Sequence, residues 1–236
     1  MKRSFLIAMM LAAGAVAALG GCVRRESAAA AYFPLQTGMT WTFRFTASTG
    51  ASGELTTANL APRKIFGFDT VPQQNLGGDQ PYTEFYADDG AGIRHVAIDE
   101  SEGLQSRLSD HSYVIKQPVR AGTSWREIDR TFDGTIYNAT TRIEALADTV
   151  TVPAGTYRNC VRVHSNGIAS TLKGTARAPH DVNVRAVTAG EDVSVEDYYW
   201  LAPGVGPVKA THEETRGEGP MTRTISYKLE LESLKR

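Results

Sequence analysis

From Tyr32 onward the chain is dominated by a pattern of period two. Trp41, Phe43 and Phe45 alternate with Thr42, Arg44 and Thr46. Near the other end Ile225, Tyr227, Leu229 and Leu231 alternate with Ser226, Lys228, Glu230 and Glu232. This period sends apolar side chains to one face of a strand and polar ones to the other, so both stretches are predicted as half-buried strands. Shorter runs of the same kind occupy 83–87, 93–98, 125–132, 135–146, 159–163, 193–201 and 205–211. Thr, Val, Tyr and Ile recur in them, as pleated, half-exposed surfaces favour. No helical period is sustained after residue 21. The pattern predicts an all-β fold, an antiparallel meander forming a curved sheet or barrel-like domain. A long flat sheet would leave bare edges and one unburied face.

The punctuation between the runs is that of hairpins. Asp88-Asp89-Gly90 and Asp133-Gly134 each separate two runs. Val152-Pro153-Ala154-Gly155-Thr156 places Pro at the second position of a type I turn, with glycine where a left-handed residue follows. In Ala202-Pro203-Gly204-Val205-Gly206-Pro207, Pro203 fixes φ and Gly204 can take positive φ. Gly206 there lets a backbone or an aromatic ring approach closely. The stretch 165–192 is the one long irregular segment, holding either weak strands near 168–173 and 182–187 or an excursion.

A faint repeat is also present. Pro34 to Trp41 and Pro118 to Trp125 share P-[LV]-x-x-G-x-[ST]-W at an offset of 84 residues (118 − 34). Two readings stay open: one strand-entry corner used twice, or two related halves around a shared groove.

The segment before Tyr32 has another character. Met1-Lys2-Arg3-Ser4 is basic, and residues 5–19 are almost wholly apolar. That run has the length of a secretory signal core and is short of the ~20 residues of a membrane span. Leu19-Gly20-Gly21-Cys22 follows and resembles the lipobox of bacterial lipoproteins. The resemblance implies cleavage between Gly21 and Cys22, a diacylglycerol thioether on the Cys22 sulfur and an acyl chain on its new amino group, palmitate among the chains expected. Two or more chains anchor a protein stably where one does not. Val23, in place of Asp, implies the outer membrane, facing the periplasm. The expected organisation is a signal peptide over 1–21, a lipidated tether over 22–31 and one β-rich domain over 32–236. Fully extended, the nine residues 23–31 reach roughly 30 Å.

Cleavage leaves 236 − 21 = 215 residues, enough for a proper core. The full chain carries 25 Lys+Arg and 26 Asp+Glu, and loss of Lys2 and Arg3 brings the net charge to −3. Charge this near neutrality argues against nucleic acid as a partner. The chain has 2 cysteines, and Cys22 is committed to the anchor. Cys160 is then without a disulfide partner and is read as a small buried hydrophobe.

Four stretches in fixed order carry a broader resemblance: F-P-L-x-x-G-x-x-W from Phe33, P-V-x-x-G-x-x-W from Pro118, V-P-A-G-T-Y-x-x-C from Val152 and A-P-G-V-G from Ala202. Together they resemble a family of uncharacterised exported, β-rich bacterial lipoproteins. The resemblance implies an envelope β domain and transfers no catalytic residue.

Familiar catalytic signatures are missing. His212-Glu213-Glu214-Thr215-Arg216 opens like a zinc-protease motif, but Arg216 stands where the second histidine ligand is needed. Gly204-Val205-Gly206 runs into Pro207 and lacks the third glycine of a dinucleotide fingerprint. Neither a nucleophile elbow nor a P-loop is present. His95, His111, His164, His180 and His212 show no ligand spacing, and Asp88, Asp89, Asp99, Glu100 and Glu102 do not match a calcium loop. No cofactor, metal site or catalytic group is expected. The aromatics Trp41, Trp125, Tyr198 and Trp200 are the candidate lining of a ligand pocket. On strict alternation Tyr199 shares a face with Leu201, while Tyr198 and Trp200 share the opposite one.

The expected function is non-enzymatic: an anchored envelope protein that binds an apolar or amphipathic ligand or an envelope protein. The alternatives are an envelope enzyme of unrecognised type and a structural spacer.

Overall fold

The structure, a computed structural model, describes residues 27–77, 81–99, 105–130, 136–170, 192–217 and 222–236. The lipobox, Asp133-Gly134, His180, Glu100 and Glu102 lie outside the described residues. Fourteen strands follow in chain order: β1 (Thr40–Ala47), β2 (Ser52–Asn59), β3 (Arg63–Ile65), β4 (Phe68–Leu76), β5 (Tyr82–Asp88), β6 (Gly92–Asp99), β7 (Gln105–Arg107), β8 (Tyr113–Lys116), β9 (Ser124–Arg130), β10 (Ile136–Val152), β11 (Gly155–Ser170), β12 (Asp192–Ala202), β13 (Gly206–Arg216) and β14 (Arg223–Lys235). All pair antiparallel in one sheet of order β7-β6-β5-β4-β2-β1-β14-β13-β12-β11-β10-β9, with β3 on β4 and β8 on β6.

The expected all-β curved sheet is therefore the observed architecture, and no helix occurs among the described residues. The hydrogen-bonded path ends at β7 and β9 without closing, so the sheet is not a complete barrel. Side chains bridge the seam instead. Trp125 Nε1 donates to the Tyr113 carbonyl at 3.2 Å, and Glu127 Oε1 accepts from Tyr113 N at 3.3 Å.

The path consists of two six-stranded meanders, β1-β2-β4-β5-β6-β7 and β9 to β14, joined where β1 pairs with β14. Their entries match bond for bond. Gly38 N donates to Asn59 O at 2.9 Å and Gly122 N to Ile143 O at 2.8 Å. Asn59 N returns to Met39 O at 2.9 Å and Ile143 N to Thr123 O at 2.8 Å. Trp41 pairs with Thr57 and Trp125 with Thr141. Gly38 and Gly122 take φ of 88° and 86°, a conformation that a side chain would strain. Each correspondence keeps the 84-residue offset, so the repeat extends from the corner through the following hairpin. Both meanders also wall the same concave face. Two related halves around a shared groove is the reading that fits.

The strands the alternation missed have a physical reason. On the concave face of β2 and β4 stand Thr57, Asn59, Gln73 and Asn75, all buried and polar. Thr57 Oγ1 donates to Asn75 Oδ1 at 2.8 Å, and Gln73 Nε2 to Asn59 Oδ1 at 3.0 Å. Hydrogen bonding removes the cost of burying these groups, and it also removes the apolar half of the pattern.

One end of the concave face is filled. Phe33, Tyr86, Ile93, Tyr113, Ile115, Trp125, Ile143, Val161, Val163 and Leu201 form one cluster there. Met39, Trp41, Phe43 and Leu231 form a second with Val150, Val152 and Cys160. The latter residues come from the β10–β11 hairpin, which crosses to place Ala154 N on Leu231 O at 2.9 Å. Cys160 is fully buried, as read from the sequence, and burial beside Asp148 pushes its thiol up to about 11.

The tether needs correction. Residues 27–31 belong to the fold: Ser27 N donates to Asp88 Oδ2 at 2.9 Å, Ala29 is 0% exposed, and Ala31 O accepts from Gly204 N at 2.6 Å. Four small alanines carry little periodicity, so the sequence pattern could not distinguish a docked strap from a linker. The glycine-rich turn between β12 and β13 receives that strap. A side chain on Gly206 would meet Pro34 Cδ at 3.3 Å and the Trp41 ring at 3.6 Å, and Trp41 Nε1 donates to Val205 O at 2.7 Å. The close aromatic approach expected at Gly206 is present.

Candidate functional site

Beyond the filled end the concave face holds a cavity of about 490 Å³. Its walls come from both meanders. Apolar groups include Phe43, Leu55, Ile98, Leu108, Leu201 and Leu229; polar ones include Asn75, Glu84, Glu127, Tyr137, Thr141, Ser165 and Asp197. Strand parity places them. Inward positions recur at every second residue of each strand and stay in line across the antiparallel ladder.

Of the four aromatics singled out in the sequence, the cavity receives one. Trp41 contributes to its lining. Trp125 is 6% exposed and packed in the cluster beneath. Tyr198 and Trp200 stand on the convex face. Trp200 Nε1 donates to Asp148 Oδ2 at 3.0 Å, and Tyr198 stacks on His164 with centroids 4.4 Å apart. His164 is itself bracketed by Glu144 and Glu196, each at 3.0 Å. The correction is one of face: alternation separates Tyr199 from Tyr198 and Trp200 but does not say which side is concave. Tyr199 lines the cavity, and its 38% exposure is to that space.

The polar wall is a continuous hydrogen-bonded row missed in the sequence. Thr141 Oγ1 lies 2.8 Å from Ser165 Oγ and 3.4 Å from Glu127 Oε2. Tyr137 OH lies 3.1 Å from Ser165 Oγ and donates to Asp197 Oδ2 at 3.3 Å. Asp197 Oδ1 is 2.6 Å from His212 Nδ1, and His212 Nε2 is 3.2 Å from Glu214 Oε1. Arg216 Nη2 closes the row on Glu214 Oε2 at 2.8 Å. His212 also stacks on Tyr227 at 4.4 Å. The residues that failed as a zinc motif thus alternate along β13 so that 212, 214 and 216 share the inner face.

Electrostatics fix the charge states of this row. Burial works to lower the His212 pKa, but hydrogen bonds to Asp197 and Glu214 prevail and push it up to about 9. The His212 hydrogen bond, joined by Arg216 and opposed by burial, holds Glu214 below the usual carboxylate range. Burial, then the charge of Asp197, raises the Tyr137 phenol. Asp197, then burial, does the same to Tyr199. An imidazolium with both N–H groups committed has no lone pair to accept a proton. The Thr141 and Ser165 hydroxyls bond to each other and to Tyr137 and Glu127, with no imidazole beside them. The row therefore offers polar anchoring rather than an activated nucleophile. Among the described residues no group of three or more His, Cys, Asp or Glu is arranged to hold a metal ion.

The chain matches no protein-family model and no curated protein. Two solved structures are similar to it. One is a Bacteroides fragilis protein described as exported and as having a YmcC-like fold, at 15% identity, covering 87% of this chain and 99% of that one, with a TM-score of 0.49. The other is a Parabacteroides distasonis protein described as a lipoprotein, at 14% identity, covering 86% and 98%, with a TM-score of 0.41.

Proposed function

We propose that this protein is an envelope lipoprotein, acylated at Cys22 and held on the periplasmic side of the outer membrane, whose concave cavity binds an amphipathic ligand. The observation that carries the ligand half is the cavity of about 490 Å³ with an apolar lining on one part and a hydrogen-bonded polar row on another. Pockets for small molecules fall in this size range and combine apolar walls with a few placed polar groups. The apolar residues take a hydrocarbon portion. Tyr199, Tyr137 and Glu127 face its polar portion. Three carboxylates, Glu84, Glu127 and Asp197, line the space, so a neutral or cationic head is favoured over an anionic one. The anchor half rests on Leu19-Gly20-Gly21-Cys22 and the signal-like segment before it.

Each half has its test. Organic extraction of the Cys22→Ser protein purified from a bacterial envelope, followed by mass spectrometry, is expected to release one amphipathic species in stoichiometric amount. A ligand-free protein that binds no envelope lipid on readdition rejects the binding reading. Growth with labelled palmitate is expected to mark the wild type and not Cys22→Ser. An unlabelled wild type removes the anchor.

A further inference from the structure

The docked strap changes what the anchor can do. Between Cys22 and Ser27 lie five Cα–Cα steps (27 − 22), a reach of at most roughly 17 Å. Ser27 is fixed at the filled end of the sheet by its bond to Asp88, in the β5–β6 turn. Gly204, in the β12–β13 turn of the same end, holds Ala31. The opposite end lies a strand length away. β12 runs from Ala202 at the filled end to Asp192 at the other, and its 11 residues span roughly 35 Å. The inward polar groups Asp197 and His212 stand toward that far end, on paired positions of β12 and β13.

From these lengths we infer that the filled, strap-bearing end of the domain rests on the bilayer and the open end of the cavity points away from it. The reach of the tether is about half the strand length. With the far end on the membrane, Ser27 would stand beyond what five residues can span. A ligand must then enter from the aqueous side, carried or presented there, and not by lateral movement out of the leaflet that holds the anchor. This inference rests on acylation of Cys22.

The test uses the full-length acylated protein in vesicles of phosphatidylethanolamine and phosphatidylglycerol bearing a nitroxide quencher on the headgroup. Single substitutions supply fluorophore sites: Lys64→Cys and Lys235→Cys near the strap, Asp192→Cys and Arg223→Cys at the far end. Cys160 is buried and Cys22 is blocked by acylation, so labelling is specific. Loss of most fluorescence is expected at the first pair and little loss at the second. Equal quenching of both pairs, or stronger quenching at the far end, overturns the orientation. A second variant inserts about twenty Gly/Ser residues after Glu26, with a mean reach of roughly 25 Å. It is expected to bring the Asp192→Cys and Arg223→Cys labels into quenching range, and an unchanged profile rejects the short tether as the cause. The mass of the N-terminal peptide from the same vesicles separates the two failures. An unacylated peptide refutes the anchor, whereas an acylated one with quenched far-end labels refutes the orientation alone.

Discussion

Trp41 and Trp125 head two rows of inward side chains that begin alike and end differently. Both tryptophans follow a corner with the same three backbone contacts, both are buried, and both face a threonine across the hairpin. Beyond Thr57 the first row passes to Asn75 and Tyr82, and its groups are mostly neutral. Beyond Thr141 the second passes to Ser165, Asp197, His212 and Tyr227, and carries charge. The shared part is what starts a curved meander: a left-handed glycine, a paired hairpin and a large ring on the inside. The divergent part lies farther along the strands, where a side chain faces the cavity. Architecture is conserved between the halves where burial demands it, and chemistry differs where the cavity leaves room.

Several perturbations would break or sharpen that comparison, and truncating the rings is the largest. Trp41→Ala and Trp125→Ala are each expected to cost about 3–5 kcal/mol, the range for emptying a large aromatic site, in urea unfolding. A loss below ~1 kcal/mol at either site would show that the two corners are not equivalent supports.

The second perturbation addresses the charged row alone. His212 has an unfolded pKa near 6.5 and a folded value of about 9. A folded pKa raised above the unfolded one contributes stability fully below about pH 6.5, lost as pH rises through about 9. The difference corresponds to about 3 kcal/mol at 1.36 kcal/mol per unit. Urea unfolding of His212→Gln is therefore expected to show its largest deficit at pH 6 and to approach the wild type above pH 9.5. A deficit independent of pH would mean that packing on Tyr227, and not charge, sets the role of this residue. Asn75→Ala in the first row is expected to show no such pH dependence.

The smallest effect falls on the turns. Gly38→Ala and Gly122→Ala meet no neighbouring atom within 4 Å, so their cost is conformational alone, about 1–2 kcal/mol each. Thermal or urea unfolding should give the same value at both sites. Unequal costs would limit the correspondence of the halves to the hydrogen-bond pattern.

What the sequence made legible follows from where alternation survives. β1, β5, β6 and β9 to β14 carry it over much of their length, and all were anticipated, although β10 and β11 run well past Leu146 and Val163 through three register shifts. β2 and β4 were hidden because their inward positions are amides and a threonine. β3, β7 and β8 are only three or four residues long. The corner repeat was visible because glycine and tryptophan have steric roles that no other residue fills. The cavity was not, because parity sorts side chains into two faces without saying which face is concave. Tyr198 and Trp200 looked like a pair and are one, on the convex side, where Asp148, Glu196 and His164 hold them. The polar row was split among five strands and leaves no local motif. Only the period-two placement of 212, 214 and 216 hinted at it.

The central claim is that the space enclosed by the two halves is a binding cavity, and blocking it tests that most directly. Ala210 lines the space from β13, beside Tyr199 across the β12–β13 ladder. The measurement is a fluorescence titration of the Cys22→Ser protein with N-phenyl-1-naphthylamine, set against the same titration of the Ala210→Trp variant shown by circular dichroism to be folded. Saturable binding at one site in the parent protein, abolished in Ala210→Trp, is the predicted result. No saturable binding in the parent, or binding that the added ring leaves unchanged, would contradict it.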